Sequence, residues 1–226
     1  MKIGFLETRK VKFFLLCLVC CALFVQCRSG KYFADFRTDR SRIGTLTLLT
    51  PYIRVEYFKN QEIFNDQELE KILMEQISAN TYSILERKYQ PTNLEIDFDV
   101  INPYDLSNMF SLLDSSDKNT EVPIPLSIQN QIKNDSNRYS LMVFFLGRYN
   151  DHFQPNHNLK RALATNRIYL NPPRNLVNSE IRVVIFDNKK DIIVYHNRKN
   201  PRNADPRIPS MVKKMTFDAL RPVYYF

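Results

Sequence analysis

The most regular pattern in the chain is helical. Leu69, Ile72, Leu73, Ile77, Ile84 and Leu85 recur at spacings that put an apolar stripe on one side of a helix. Asn65-Asp66-Gln67-Glu68 has the form of a capping box, with Asn65 as N-cap and Glu68 reaching back, so a helix is expected over residues 66–88. Ahead of it lie two stretches rich in β-branched and aromatic residues, 45–49 and 53–58, divided by Pro51. In the second, Ile53, Val55 and Tyr57 alternate with Arg54 and Glu56, as in a strand with one wet face. Behind the helix, Leu94, Ile96, Phe98 and Val100 alternate with Glu95, Asp97 and Asp99. That alternation predicts a strand over 94–100 with three carboxylates on one face. Asn102-Pro103 then opens a second helix. Asn102 caps it, Pro103 fits the first turn, and Leu106, Met109, Phe110 and Leu113 form the buried stripe.

The pattern changes in the second half. Residues 114–125 are a polar loop, and a short helix is expected over 126–133. Residues 139–146, Tyr-Ser-Leu-Met-Val-Phe-Phe-Leu, have no polar position at the required spacing to face water. They read as the central strand of a sheet, buried on both faces. Phe144 and Phe145 then point to opposite faces. The helix over 66–88 is expected to cover one face and a terminal helix the other. Residues 148–178 are irregular, with Pro155, Pro172, Pro173 and one expected strand at 167–170. Residues 179–187 and 191–197 form a hairpin across Asn188-Lys189-Lys190. Asp205-Pro206 supplies an N-cap and a first-turn proline for a helix over 206–220, and Pro222 is expected to stop it. No repeat or linker divides residues 44–226. The fold class is α/β (α+β): a single domain with a mixed β-sheet, helices packed on it, a late β-hairpin and a C-terminal helix.

The amino terminus has a different texture. Lys2, Arg9, Lys10 and Lys12 precede a 13-residue apolar run from Phe13 to Val25, followed by Gln26-Cys27. A basic leader and a short apolar core make a secretory signal, and a bilayer-spanning helix needs roughly 20 residues. Leu23-Phe24-Val25-Gln26-Cys27 resembles the lipobox of a bacterial lipoprotein signal, in which the cysteine is lipidated and becomes the mature N-terminus. The resemblance implies lipidation at Cys27, a signal peptide over 1–26 and a tether over 27–43 leading into the domain at 44–226. An ordinary signal peptide or an uncleaved short anchor is the alternative.

Composition narrows the chemistry. All four cysteines (Cys17, Cys20, Cys21, Cys27) lie at or before the expected cleavage point, so the mature chain has no disulfide and no thiol catalyst. After residue 26 only Gly30, Gly44 and Gly147 remain, which excludes the clustered glycines of phosphate loops and nucleophile elbows. No cofactor is expected, and no serine–histidine pattern allows a triad. Charge is uneven: residues 61–140 carry −8, whereas residues 141–226 carry +9. Behind a secretion signal, the basic part suits headgroups or an acidic protein face better than nucleic acid.

Candidate sites are few. Arg148, Tyr149, Phe153, Lys160, Arg161, Arg167 and Tyr169, with Arg174, interleave bases and aromatics as a binding surface does. Asp151, His152 and His157 could hold zinc, and the Glu95/Asp97/Asp99 face a hard cation. His152 and His157 match no tight ligand spacing, however, and no metal site is assigned.

The order of elements, together with the hairpin text Ile181-Arg182-Val183-Val184-Ile185-Phe186-Asp187 and Asp191-Ile192-Ile193-Val194-Tyr195, resembles envelope α/β domains of the curli-secretion and TolB amino-terminal type. That resemblance implies an assembly or interaction module of the cell envelope. The expected function is therefore a membrane-tethered, periplasm-facing lipoprotein that binds an envelope protein partner without catalysis. A secreted hydrolase or metal-dependent enzyme and a basic anionic-surface binder are the alternatives.

Overall fold

The computed structural model describes residues 30–33, 36, 43–59, 62–117, 120–150 and 177–224. They form one mixed α/β domain, an open sheet with helices on both faces. Among the described residues the strands are β1 (Gly30–Tyr32), β2 (Thr45–Leu49), β3 (Tyr52–Lys59), β4 (Glu62–Asn65), β5 (Gln90–Leu94), β6 (Val122–Pro123), β7 (Tyr139–Asn150), β8 (Asn178–Asp187) and β9 (Ile192–Lys199). The α-helices are α1 (Gln67–Leu85), α2 (Pro103–Ser115), α3 (Leu126–Ile132) and α4 (Pro209–Tyr224).

β7 is central, as its unbroken apolar run predicts. It pairs antiparallel with β8 on one side, and on the other it runs parallel to both β2 and β3. Those two strands lie end to end along one edge of β7, separated where Pro51 cannot supply an N–H. β5 adds parallel to β2, and β4 adds antiparallel to the far end of β3. On the other flank the hairpin partner β9 carries β6 and β1 along its outer edge. Residues 27–43, expected as a plain tether, thus contribute an edge strand, and Phe33 and Phe36 are buried in the domain.

Phe144 and Phe145 are both 0% exposed and belong to opposite cores. The layering differs from expectation. Phe145 lies with Leu73 and Ile77 of α1 and with Val212 and Met215 of α4, so these two helices share one face. Phe144 lies with Leu106, Met109 and Leu113 of α2 and Ile128 and Ile132 of α3, which cover the other. The late hairpin puts α4 beside α1 because β8 and β9 extend the sheet sideways without crossing it.

Local chemistry moves four boundaries. Asn65 ends β4, so Asp66 caps α1 by accepting from Leu69 N at 3.0 Å. Glu70, rather than Glu68, reaches back, accepting from Val55 N at 2.8 Å. The expected strand 94–100 is not one: β5 ends at Leu94, and Phe98–Val100 is a 3₁₀ turn whose Asp97 accepts from Asp99 N. Ile96 is buried under α2 and α3, and this packing satisfies the alternation without a ladder. Asp205 closes a turn with Arg207 instead of capping, and α4 begins at Pro209. Pro222 lies inside α4, whose last turn is held because Val223 is buried and its carbonyl accepts from Tyr89 Oη at 3.0 Å.

Candidate functional site

The parallel part of the sheet decides where a ligand can enter. The chain leaving β2 and β3 returns to β5 over one face through α1. The chain leaving β5 returns to β7 over the other face through α2 and α3. Where neighbouring parallel strands send their connections to opposite faces, their carboxyl ends part and leave a crevice, the usual ligand position in open α/β sheets. Here the ends are Leu49-Thr50-Pro51 and Asn93-Leu94-Glu95. Thr50 pins them together: its N–H donates to Leu94 O at 3.1 Å, and its Oγ1 accepts from Ile96 N at 3.3 Å.

A cavity of about 440 Å³ occupies this parting. Such a volume falls within the ~300–1,000 Å³ of small-molecule sites. Leu48, Leu141 and Val143 of the sheet form the floor, and Met74 and Tyr82 of α1 form the roof. β5 and β4 border different parts of the β2–β3 edge away from β7, and no strand among the described residues pairs with residues 50–55 on that edge. Thr81 of α1 is also in the lining. It is 4% exposed, and its Oγ1 has no hydrogen-bond partner among the described residues. Glu75 and Glu95 line the exposed part, and no basic residue does.

The other concentration of polar groups lies on the Phe144 face, at the far ends of β8 and β9. Arg182 donates to Asp114 Oδ1 and Oδ2 at 3.1 and 3.0 Å and also to Glu180 Oε1. Arg198 donates to Glu180 Oε2 at 2.8 Å and to Asp114 Oδ2 at 3.1 Å. Lys31 of β1 donates to the carbonyls of Leu113 and Asp114 at the end of α2, a cation completing a helix C-terminus. Phe110 lies beneath the Arg182 guanidinium at 4.5 Å. His196, 3% exposed, sits in this field. Burial first, and then the Arg182 charge, push its pKa down to about 4. The cluster thus ties α2 to β1, β8 and β9.

Of the binding residues expected from sequence, two are described, and they point to opposite faces. Arg148 is exposed and pairs with Glu56 at 2.9 Å. Tyr149 is buried, donates to Asp66 Oδ2 at the start of α1, stacks on Tyr57 and carries the Arg207 guanidinium over its ring. Phe153, Lys160, Arg161, Arg167, Tyr169 and Arg174 lie outside the described residues, as do Asp151, His152, His157, the strand expected at 167–170 and Cys27. Glu95, Asp97 and Asp99 do not share a strand face, and no group of three metal-ligating side chains forms among the described residues. No described helix is long and apolar enough to cross a membrane. Residue patterns did not reveal the crevice, which arises from strand order. Pro51, interrupting an otherwise continuous apolar stretch, was its one sequence signal.

No family model matches the chain, and no curated protein does. Solved structures align over most of it at low identity. The PelC dodecamer from Paraburkholderia phytofirmans is 7% identical, over 81% of this chain and 89% of that one, with a TM-score of 0.37. A neuraminyllactose-binding hemagglutinin homolog from Helicobacter pylori is 10% identical over 81% and 82%, with a TM-score of 0.29. A DUF4136 family protein from Bacteroides thetaiotaomicron is 8% identical over 86% and 95%, with a TM-score of 0.33. The functional argument therefore rests on this chain's own residues.

Proposed function

We propose that this chain is a lipid-anchored binding module of the bacterial cell envelope, acting by recognition and without catalysis. The observation that carries the binding reading is the crevice: a preformed, mostly apolar cavity at the carboxyl ends of β2 and β5, with a few polar groups and no catalytic constellation in its lining. The anchor rests on the leader and Cys27. Only Arg28 and Ser29 separate Cys27 from β1 in the sequence, so an anchor at Cys27 would hold the domain by its β1 edge. β1 begins opposite Asn197, and Lys199 and Arg202 follow along the chain. Bases at an anchored corner favour an anionic membrane surface, at ~1 kcal/mol each.

Cys27→Ala tests the anchor. Lipoprotein acyl chains bind at ~0.8 kcal/mol per buried CH₂, so their loss releases the mature domain or leaves the precursor unprocessed. Membrane fractionation and precursor size report both outcomes. A variant processed and membrane-bound like the parent refutes the lipid anchor.

A further inference from the structure

We infer that the crevice binds a small amphiphile with an apolar body and a protonated amine head. This inference rests on reading the crevice as the binding site and adds the chemical class of its ligand. Leu48, Leu141, Val143 and Met74 enclose a volume that an aliphatic body desolvates well. Thr81 lines the same cavity, and its Oγ1 is buried without a partner among the described residues.

The head group follows from the two carboxylates. Glu75 on α1 and Glu95 after β5 stand on different elements bordering one opening. Neither makes an ion pair or hydrogen bond among the described residues, and Arg and Lys are absent from the lining. Elsewhere the chain does pair acids that share a site: Asp114 and Glu180 each meet two arginines. Two unpaired carboxylates flanking an apolar cavity repel an anionic ligand and attract a cationic one. Both carboxylates attract an ammonium, whereas a fatty-acid carboxylate would stand as a third negative charge at the same opening.

Equilibrium dialysis of the full chain at neutral pH tests this with three probes of equal chain length: 1-octylamine, 1-octanol and octanoate. Octylamine is expected to bind most tightly and octanoate least. Glu75→Gln/Glu95→Gln, both at exposed positions, should weaken octylamine by about tenfold while leaving octanol unchanged. Ala79→Trp, at an exposed position of the lining, should weaken both by filling the opening. Equal affinity for amine and alcohol, or a double variant that changes nothing or weakens both alike, overturns the amine class and leaves the crevice as a site. Probe binding that is absent, or indifferent to Ala79→Trp, overturns the crevice itself.

Discussion

Two regions of this molecule gather carboxylates, and they treat them in opposite ways. Beside β8 and β9, Glu180 and Asp114 are held by Arg182 and Arg198, and Arg182 rests on Phe110. At the crevice, Glu75 and Glu95 stand without partners among the described residues, over apolar walls. A charge fully paired by its own chain has its interactions committed to the fold. A charge left open beside a desolvated cavity keeps its field for something outside. On the proposed function, that difference separates a structural polar cluster from the recognition site, although the cluster contains more charge and a histidine with a displaced pKa. Perturbed titration alone points to the cluster.

The contrast can be broken from its strongest side first. Phe144 packs edge-on against Phe110 at 5.0 Å, beneath Arg182. Phe144→Ala should cost about 3–5 kcal/mol, and Phe145→Ala a comparable amount on the other face, because both rings are fully buried in separate cores. Denaturant melts measure both. A cheap substitution at either position would remove β7 from the centre of the sheet.

His196 gives the next effect. It stays neutral when buried, with a pKa of about 4, whereas the unfolded chain takes up its proton near 6.5. Its contribution to stability is therefore complete above about pH 6.5 and is lost as pH falls towards about 4, on the order of 3 kcal/mol in total. Melts from pH 7 to pH 5 should show a slope that His196→Leu flattens. An unchanged slope would move the titration elsewhere.

Arg182→Met comes third, at roughly 2–3 kcal/mol. It strips two carboxylates of one partner while Arg198 retains both, and the half-exposed Asp114 keeps solvent. Last, Glu75→Gln and Glu95→Gln should each shift stability by less than ~0.5 kcal/mol. If either destabilised the domain as Arg182→Met does, the crevice carboxylates would be structural and the contrast would collapse.

The elements that the sequence made legible share one cause. β7, the hairpin and the stripes of α1 and α2 each bury side chains at a strict period, so tertiary structure had only to confirm what local spacing demanded. The errors came where two solutions satisfy one pattern. Leu94, Ile96, Phe98 and Val100 alternate as a strand would, yet a loop and a 3₁₀ turn place Ile96 and Phe98 against α2 and α3 equally well. The true strand before them, β5, contains Pro91 and little apolar signal, which an edge position tolerates. Helix amphipathicity shows that α4 must cover something but not which face, and it joins α1. Pro222 carries the sequence signal of a stop, and the anchoring of Val223 by Tyr89 that overrides it is invisible along the chain. The crevice belongs to the same class, since it exists only once strand order is known. The charged cluster did leave a trace: Glu180, Arg182, His196 and Arg198 are polar residues at buried or pairing positions of two strands with apolar centres.

The pairing of β1 with β9 bears on how the domain is made. Tyr32 is in register with Tyr195, so the first of the described strands waits for the last one. Loop closure across so much chain is slow, and local pieces such as the β8–β9 hairpin form well before it. Until then the outer edge of β9 can pair with another chain. The moment of closure is thus also the moment at which this stretch of β9 ceases to be open to a neighbouring chain.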